Sequence, residues 1–205
     1  MPLLSFTLAG ADPMTVLSLI NTAHGTPQPR PAYLADVALH RTRPQAIGTA
    51  WHVDTLSNRA PDDPAWRAWR SGRRHRALSL LDAERSTNQA QQQASASHGL
   101  TLRQLILAPF AISGYAAFAL EATRIAVEAG TQVRVLTDSC HVIPEMTVYG
   151  DVVYRLRATK NQVADGAVRL DRPDLAAALH PHLSTLWHQA TKFLTYYYTA
   201  QQETA

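Results

Sequence analysis

The sequence predicts an α/β fold: a mixed sheet that opens with a right-handed β-α-β unit, followed by hairpin strands and a long C-terminal helix. Three observations carry this. Leu102 to Ala108 ends in the continuous apolar run Leu105-Ile106-Leu107-Ala108, the pattern of a strand buried on both faces. A helix follows, capped by Ser113 and ended by Gly130, with Tyr115, Phe118, Ala119, Ala122, Ile125, Ala126 and Ala129 on one side. Thr131 to Thr137 is then rich in β-branched residues, and strand, helix and strand joined by short connections imply a right-handed parallel crossover.

The elements before the crossover are read in order. Leu3 to Leu8 is a candidate strand, Pro13 to Ala23 a helix, Pro31 to His40 a second helix begun by proline, and Ala46 to Val53 a strand. Asp63-Pro64 starts a helix through Trp66 and Trp69 toward Leu81, with a break at Ser71-Gly72. Residues 86–99 are polar and rich in Gln, Ser and Ala without apolar periodicity, which reads as a linker or exposed loop. Residues 100–205 form the βαβ-containing domain, and residues 1–85 are an α/β region that is either separate or adds layers to the same sheet.

After the crossover, Met146 to Tyr149 and Val152 to Arg157 form a hairpin around Gly150-Asp151, and a strand near Ala164 to Leu170 has Asp165-Gly166 at a turn. The C-terminal helix begins near Asp171 to Asp174, is interrupted or kinked at Pro181 and continues to about Ala200. Its apolar stripe is Leu183, Leu186, Trp187, Ala190, Leu194 and Tyr197. Tyr196, Tyr197 and Tyr198 place aromatics on more than one face, which suggests a homodimer.

Composition bounds the class. A chain of 205 residues, 46% hydrophobic and 17% charged, can bury a normal core. The net charge of +3 is too small an excess to mark a dedicated nucleic-acid binder. Cys140 is the single cysteine, so no intrachain disulfide or multi-thiolate zinc site can form, and a reducing compartment fits. Asp12-Pro13 interrupts the apolar N-terminus, and no stretch approaches the roughly 18–20 apolar residues of a membrane span, so a cytoplasmic chain is expected.

The segments Phe118 to Leu136 and Leu175 to Ala190 resemble the phospholipase D-like half-domain that serves as the ligand-sensing module of TrmB-type transcription regulators. The strand Ala129 to Leu136 is also similar to that of an uncharacterised actinobacterial domain family found beside helix-turn-helix regulators. The resemblance covers about the last hundred residues. The phospholipase D motif of a histidine, one residue, a lysine and a later aspartate is absent, and His188 and Lys192 stand four apart. The resemblance therefore implies sensing or scaffolding without phosphodiesterase chemistry.

In open α/β sheets ligands gather at the carboxyl ends of parallel strands, near helix N-termini. That rule selects two loops: Ser113, Gly114 and Tyr115, and Asp138, Ser139 and His141, which together can take a small anionic or hydroxylated ligand. The plainer reading makes Ser113 a helix cap and Asp138-Ser139 a turn. Cys140 beside His141 invites a thiol-imidazole pair, although neighbours in an extended segment point apart. Arg67, Arg70, Arg73, Arg74 and Arg76, interleaved with Trp69, can neutralise phosphates or simply face water on an amphipathic helix.

No Gly-rich phosphate loop, Gly-x-Ser-x-Gly elbow or His-Glu-x-x-His pattern is present, so no catalytic set, metal or cofactor is expected. The function expected is non-enzymatic regulation or ligand sensing, through a partner such as a DNA-binding regulator or through a homodimer. The alternatives are an enzyme using the Asp138 to His141 loop and nucleic-acid binding through Arg67 to Arg76.

Overall fold

The computed structural model describes residues 12–42, 48–56, 63–108, 114–137, 143–160 and 163–203. Strand Leu3 to Leu8 lies outside them. Their strands are β1 (Thr26–Pro29), β2 (Gly48–Asp54), β3 (Leu100–Leu107), β4 (Gln132–Leu136), β5 (Met146–Tyr149), β6 (Val152–Ala158), β7 (Ala164–Asp171) and β8 (Thr191–Lys192). All belong to one mixed sheet in the order β1-β7-β6-β5-β2-β3-β4-β8. β2, β3 and β4 are consecutive and parallel, and the remaining pairs are antiparallel. β2 comes from the N-terminal region yet lies between β3 and β5, so both sides of the polar segment build the same sheet.

Helices α1 (Pro13–Thr22) and α7 (Pro173–Gln189) cover one face. Asp12 starts α1 by accepting from the amides of Met14 and Thr15. Val16, Leu17 and Ile20 then pack with Leu175, Leu179 and Leu183 on the inward residues of β2, β3, β5 and β6. Helices α2 (Arg30–Thr42), α3 (Pro64–Arg70), α4 (Arg74–Ala83), α5 (Arg85–Ser97), α6 (Gly114–Glu128) and α8 (Phe193–Glu203) complete the set. α6 joins β3 to β4 as the crossover, and it packs Ala116 and Leu120 with Ile106 and Val135 on the second face. Trp66 of α3 and Leu81 of α4 lie against Phe118 and Ile125 on the other side of α6.

Four expectations are corrected. Residues 85–97 are helix α5 rather than a loop, because Gln and Ala are good helix formers and the absence of an apolar stripe reflects shallow packing, with Ser95 its one fully buried residue. Asp165-Gly166 lies inside β7, not at a turn. There the backbone of β1 comes so close that a Cβ on Gly166 would sit 2.1 Å from the Gln28 carbonyl, and its φ is +123°. β1 itself, Thr-Pro-Gln-Pro, was not expected as a strand, since two prolines suit only a sheet edge.

The C-terminal segment is two helices, not one. Pro181 lies within α7, and the break falls at Ala190, where β8 pairs with the edge of β4. The chain thereby crosses the sheet edge: Leu183, Leu186 and Trp187 pack on the α1 face, while Phe193 and Tyr197 pack on the α6 face. No helix among the described residues is long and apolar enough to cross a membrane.

Candidate functional site

Side chains on alternate residues of a strand share a face. Trp51 and Val53 of β2 belong to the α1–α7 core, so His52 and Asp54 point to the opposite face. The sheet register then sets a polar row across five strands: Gln104 opposite His52, His52 opposite Thr147, Thr147 opposite Tyr154, and Tyr154 opposite Arg169. Helix α2 is stitched to this row. Tyr33 Oη stands 3.0 Å from Thr147 Oγ1, and Asp36 accepts from Tyr154 Oη at 2.8 Å and from Arg169. Arg41 Nε donates to Tyr149 Oη at 2.9 Å.

His52 Nδ1 lies 3.1 Å from Thr147 Oγ1, and Nε2 lies 3.8 Å from Asp54 Oδ2. One proton arrangement satisfies every group: the Tyr33 hydroxyl donates to Thr147, Thr147 donates to His52 Nδ1, and the Nε2–H faces Asp54. Burial opposes ionisation of Asp54. The His52 ring, the Leu56 amide donating at 2.7 Å and Gln104 outweigh it and hold the carboxyl below the usual carboxylate range. The Asp54 bond to Leu56 also holds that residue at φ 56°, a conformation that costs a non-glycine residue about 1–3 kcal/mol. Burial pushes the Tyr33 phenol up, against the hydrogen bond to Thr147.

Between this row and helices α2 and α5 lies a cavity of about 330 Å³. Its floor includes His52, Gln104 and Thr147, and its walls include Leu34 and Val37 of α2 with Leu102 and Leu156. Arg30 and Arg41 line it, and neither forms an ion pair among the described residues. A second cavity of about 300 Å³ continues between α2 and α5, sharing Leu34, Val37 and Arg41 with the first. Polar groups that converge on one side, apolar walls and two guanidinium groups with no carboxylate partner among the described residues suit a small anion with an apolar body.

A match to the family described as a domain of unknown function (DUF6879) spans residues 40–198, well over half of the chain. The chain belongs to the DUF6879 family. No curated protein and no solved structure matches it. The DUF6879 segment contains the floor of the cavity and Arg41, whereas Arg30, Tyr33, Leu34 and Val37 precede it. Part of the wall that α2 supplies thus lies outside the matched segment.

Of the residues expected at the strand ends, Ser113, Asp138, Ser139 and His141 lie outside the described residues, as does Cys140. Gly114 opens α6 in open space. Tyr115 packs edge-to-face on Trp66 at 5.0 Å, and burial first, then the charges of Asp54, Asp63 and Glu145, push its phenol up to about 12. Arg67, Arg70, Arg73, Arg74 and Arg76 are all exposed, on α3, α4 and the turn between them. No group of three or more metal-ligating side chains is present among the described residues. The sequence reading missed Tyr33, Arg41, His52, Gln104 and Thr147. The available signal was Trp-His-Val-Asp in β2, an alternation that puts two polar residues on a face a strand between two neighbours would otherwise bury.

Proposed function

We propose that this DUF6879 protein is a ligand sensor whose cavity beneath α2 and α5 takes a small anionic molecule with an apolar body. The observation that carries the reading is that Arg30 and Arg41 line the cavity with no ion pair among the described residues, above a floor of already satisfied polar side chains. An anion there gains charge-assisted hydrogen bonds, and the apolar body covers Leu34, which is 47% exposed without it. The signal leaves through α2 to a partner, such as a DNA-binding regulator, or to a second copy of the chain, as the phospholipase D-like resemblance implies. The Tyr33–Thr147–His52 line supports anchoring rather than nucleophilic attack, because Thr147 is 3% exposed and its hydroxyl is engaged on both sides.

The test is a thermal-shift screen of the full chain against nucleotides, sugar phosphates and aryl or alkyl carboxylates. A ligand at a hundredfold above its Kd adds about 2.7 kcal/mol to stability. Arg41→Met is expected to weaken the hit at least tenfold, and His52→Ala to weaken it measurably. Silence from every class, or a hit indifferent to both substitutions, would remove this cavity as the sensing site.

A further inference from the structure

We propose that the arginine face of α3 and α4 binds the phosphate backbone of duplex nucleic acid. Arg67, Arg70, Arg73, Arg74 and Arg76 are exposed, and residues 70–76 are exposed without interruption. None of the five forms an ion pair among the described residues, although Arg85, Arg124, Arg157, Arg169 and Arg172 all do. Two nearby acids are committed elsewhere: Asp63 caps α3, and Asp82 pairs with Arg85 at 2.8 Å.

Local stability accounts for part of this cluster and not for the rest. Arg67 and Arg70 sit in the last turn of α3, where a cation is favoured by the helix dipole. Arg73, Arg74 and Arg76 occupy the N-cap and first turn of α4, where the dipole disfavours cations, and Arg73 supplies no capping hydrogen bond. Three cations at the wrong end of a helix, unpaired, are a local conflict of the sort found where a surface is kept for binding. The face is also rigid. Ala65, Trp66 and Leu81 anchor both helices on Phe118 and Ile125 of α6, so little order is lost when phosphates are bound.

The aromatic content favours a duplex over a single strand. Single-strand binders stack bases on free rings. Trp66 is buried, and Trp69 packs on Phe118 while the Arg74 guanidinium lies 4.9 Å above its ring. Neither offers an open face to a base, which leaves guanidinium-to-phosphate contact without sequence readout.

Fluorescence anisotropy with a labelled duplex of random sequence, over about 50–200 mM salt, tests this on the full chain. Three to five neutralised phosphates predict a slope of log K against log salt of about −3 to −4.5. R70A/R73A/R76A should lose binding at the upper salt and flatten the slope by about 2.7, while R70K/R73K/R76K keeps most of it. The single variants R70A and R73A, each expected to flatten the slope by about 1, keep the test decisive if the triple variant does not fold. The proposal is overturned by no duplex binding at the lowest salt, by alanine variants with the wild-type slope, or by arginine-dependent binding confined to equimolar phosphatidylserine–phosphatidylcholine vesicles.

Discussion

Trp51 and His52 are consecutive on β2 and work on opposite faces of the sheet: Trp51 Nε1 donates to His180 Nδ1 at 3.1 Å, whereas His52 Nδ1 meets Thr147 Oγ1 at 3.1 Å. Because His180 Nδ1 accepts, its Nε2 carries the proton and donates to the Gly150 carbonyl at 3.2 Å. Trp51 is 2% exposed, lies edge-to-face on Trp187 and is overlaid by the Arg103 guanidinium. It ties the strand that carries the cavity floor to the helix on the far side.

Trp51→Phe keeps an aromatic ring but leaves His180 Nδ1 without its donor and a small void behind it. The expected cost is about 1–2 kcal/mol, from one lost hydrogen bond to a half-buried acceptor and the lost volume. Urea denaturation should show a lower midpoint at unchanged m-value. A loss under 0.5 kcal/mol would mean that His180 finds another donor.

Asp36 joins α2 to the sheet by accepting from Gln28 at 3.1 Å, Tyr154 at 2.8 Å and Arg169, and its side chain is 13% exposed. Burial opposes its ionisation, but those three hydrogen bonds and the Arg169 charge hold its carboxyl below the usual range. Asp36→Ala is expected to cost about 2–3 kcal/mol at neutral pH, less than a fully isolated pair would, because Arg169 keeps Asp171. A carboxyl depressed in the fold contributes stability above its unfolded value, about 3.9, and loses it as pH falls through the lower folded value. The gap between wild type and Asp36→Ala should therefore be full at pH 6 and narrow below about pH 4, as read from urea melts. At the other limb, Tyr115, pushed up to about 12, adds stability that disappears as pH rises beyond about 10.

The sequence disclosed the elements whose pattern is local. The Leu105 run marks β3 and the β-branched Thr131 to Thr137 segment marks β4, and the two are parallel neighbours as expected, with Leu105 opposite Arg134. It concealed what long-range register decides. His52 and Thr147 are 95 residues apart and meet because β2 and β5 pair antiparallel, a pairing that neither segment announces. Gly166 carries the ordinary signature of a turn, Asp-Gly, but serves a close approach between β1 and β7. The stripe from Leu183 to Tyr197 reads as one helix face because spacing says nothing about the sheet edge that the chain rounds at β8.

The family match begins at His40, yet α1, β1 and most of α2 lie before it: α1 packs into the α7-face core, Val37 of α2 into the core on the other face, and β1 pairs with β7. Val16, Leu17 and Ile20 are 1%, 2% and 0% exposed against the α7 face, and burying three such side chains is worth about 1.5–3 kcal/mol each. Their sum, about 5–9 kcal/mol, is the size of a whole domain's net stability, before the Asp36 and Tyr33 contacts are counted. A chain cut to residues 40–205 should lose cooperative thermal unfolding and bind a hydrophobic dye through the uncovered face of Leu175, Leu179 and Leu183. Leu17→Ala in the full chain grades the same effect, at about 2–5 kcal/mol. A cooperative melt of the shortened chain near the full-length Tm would show instead that the DUF6879 segment folds by itself and that α1 is an accessory layer.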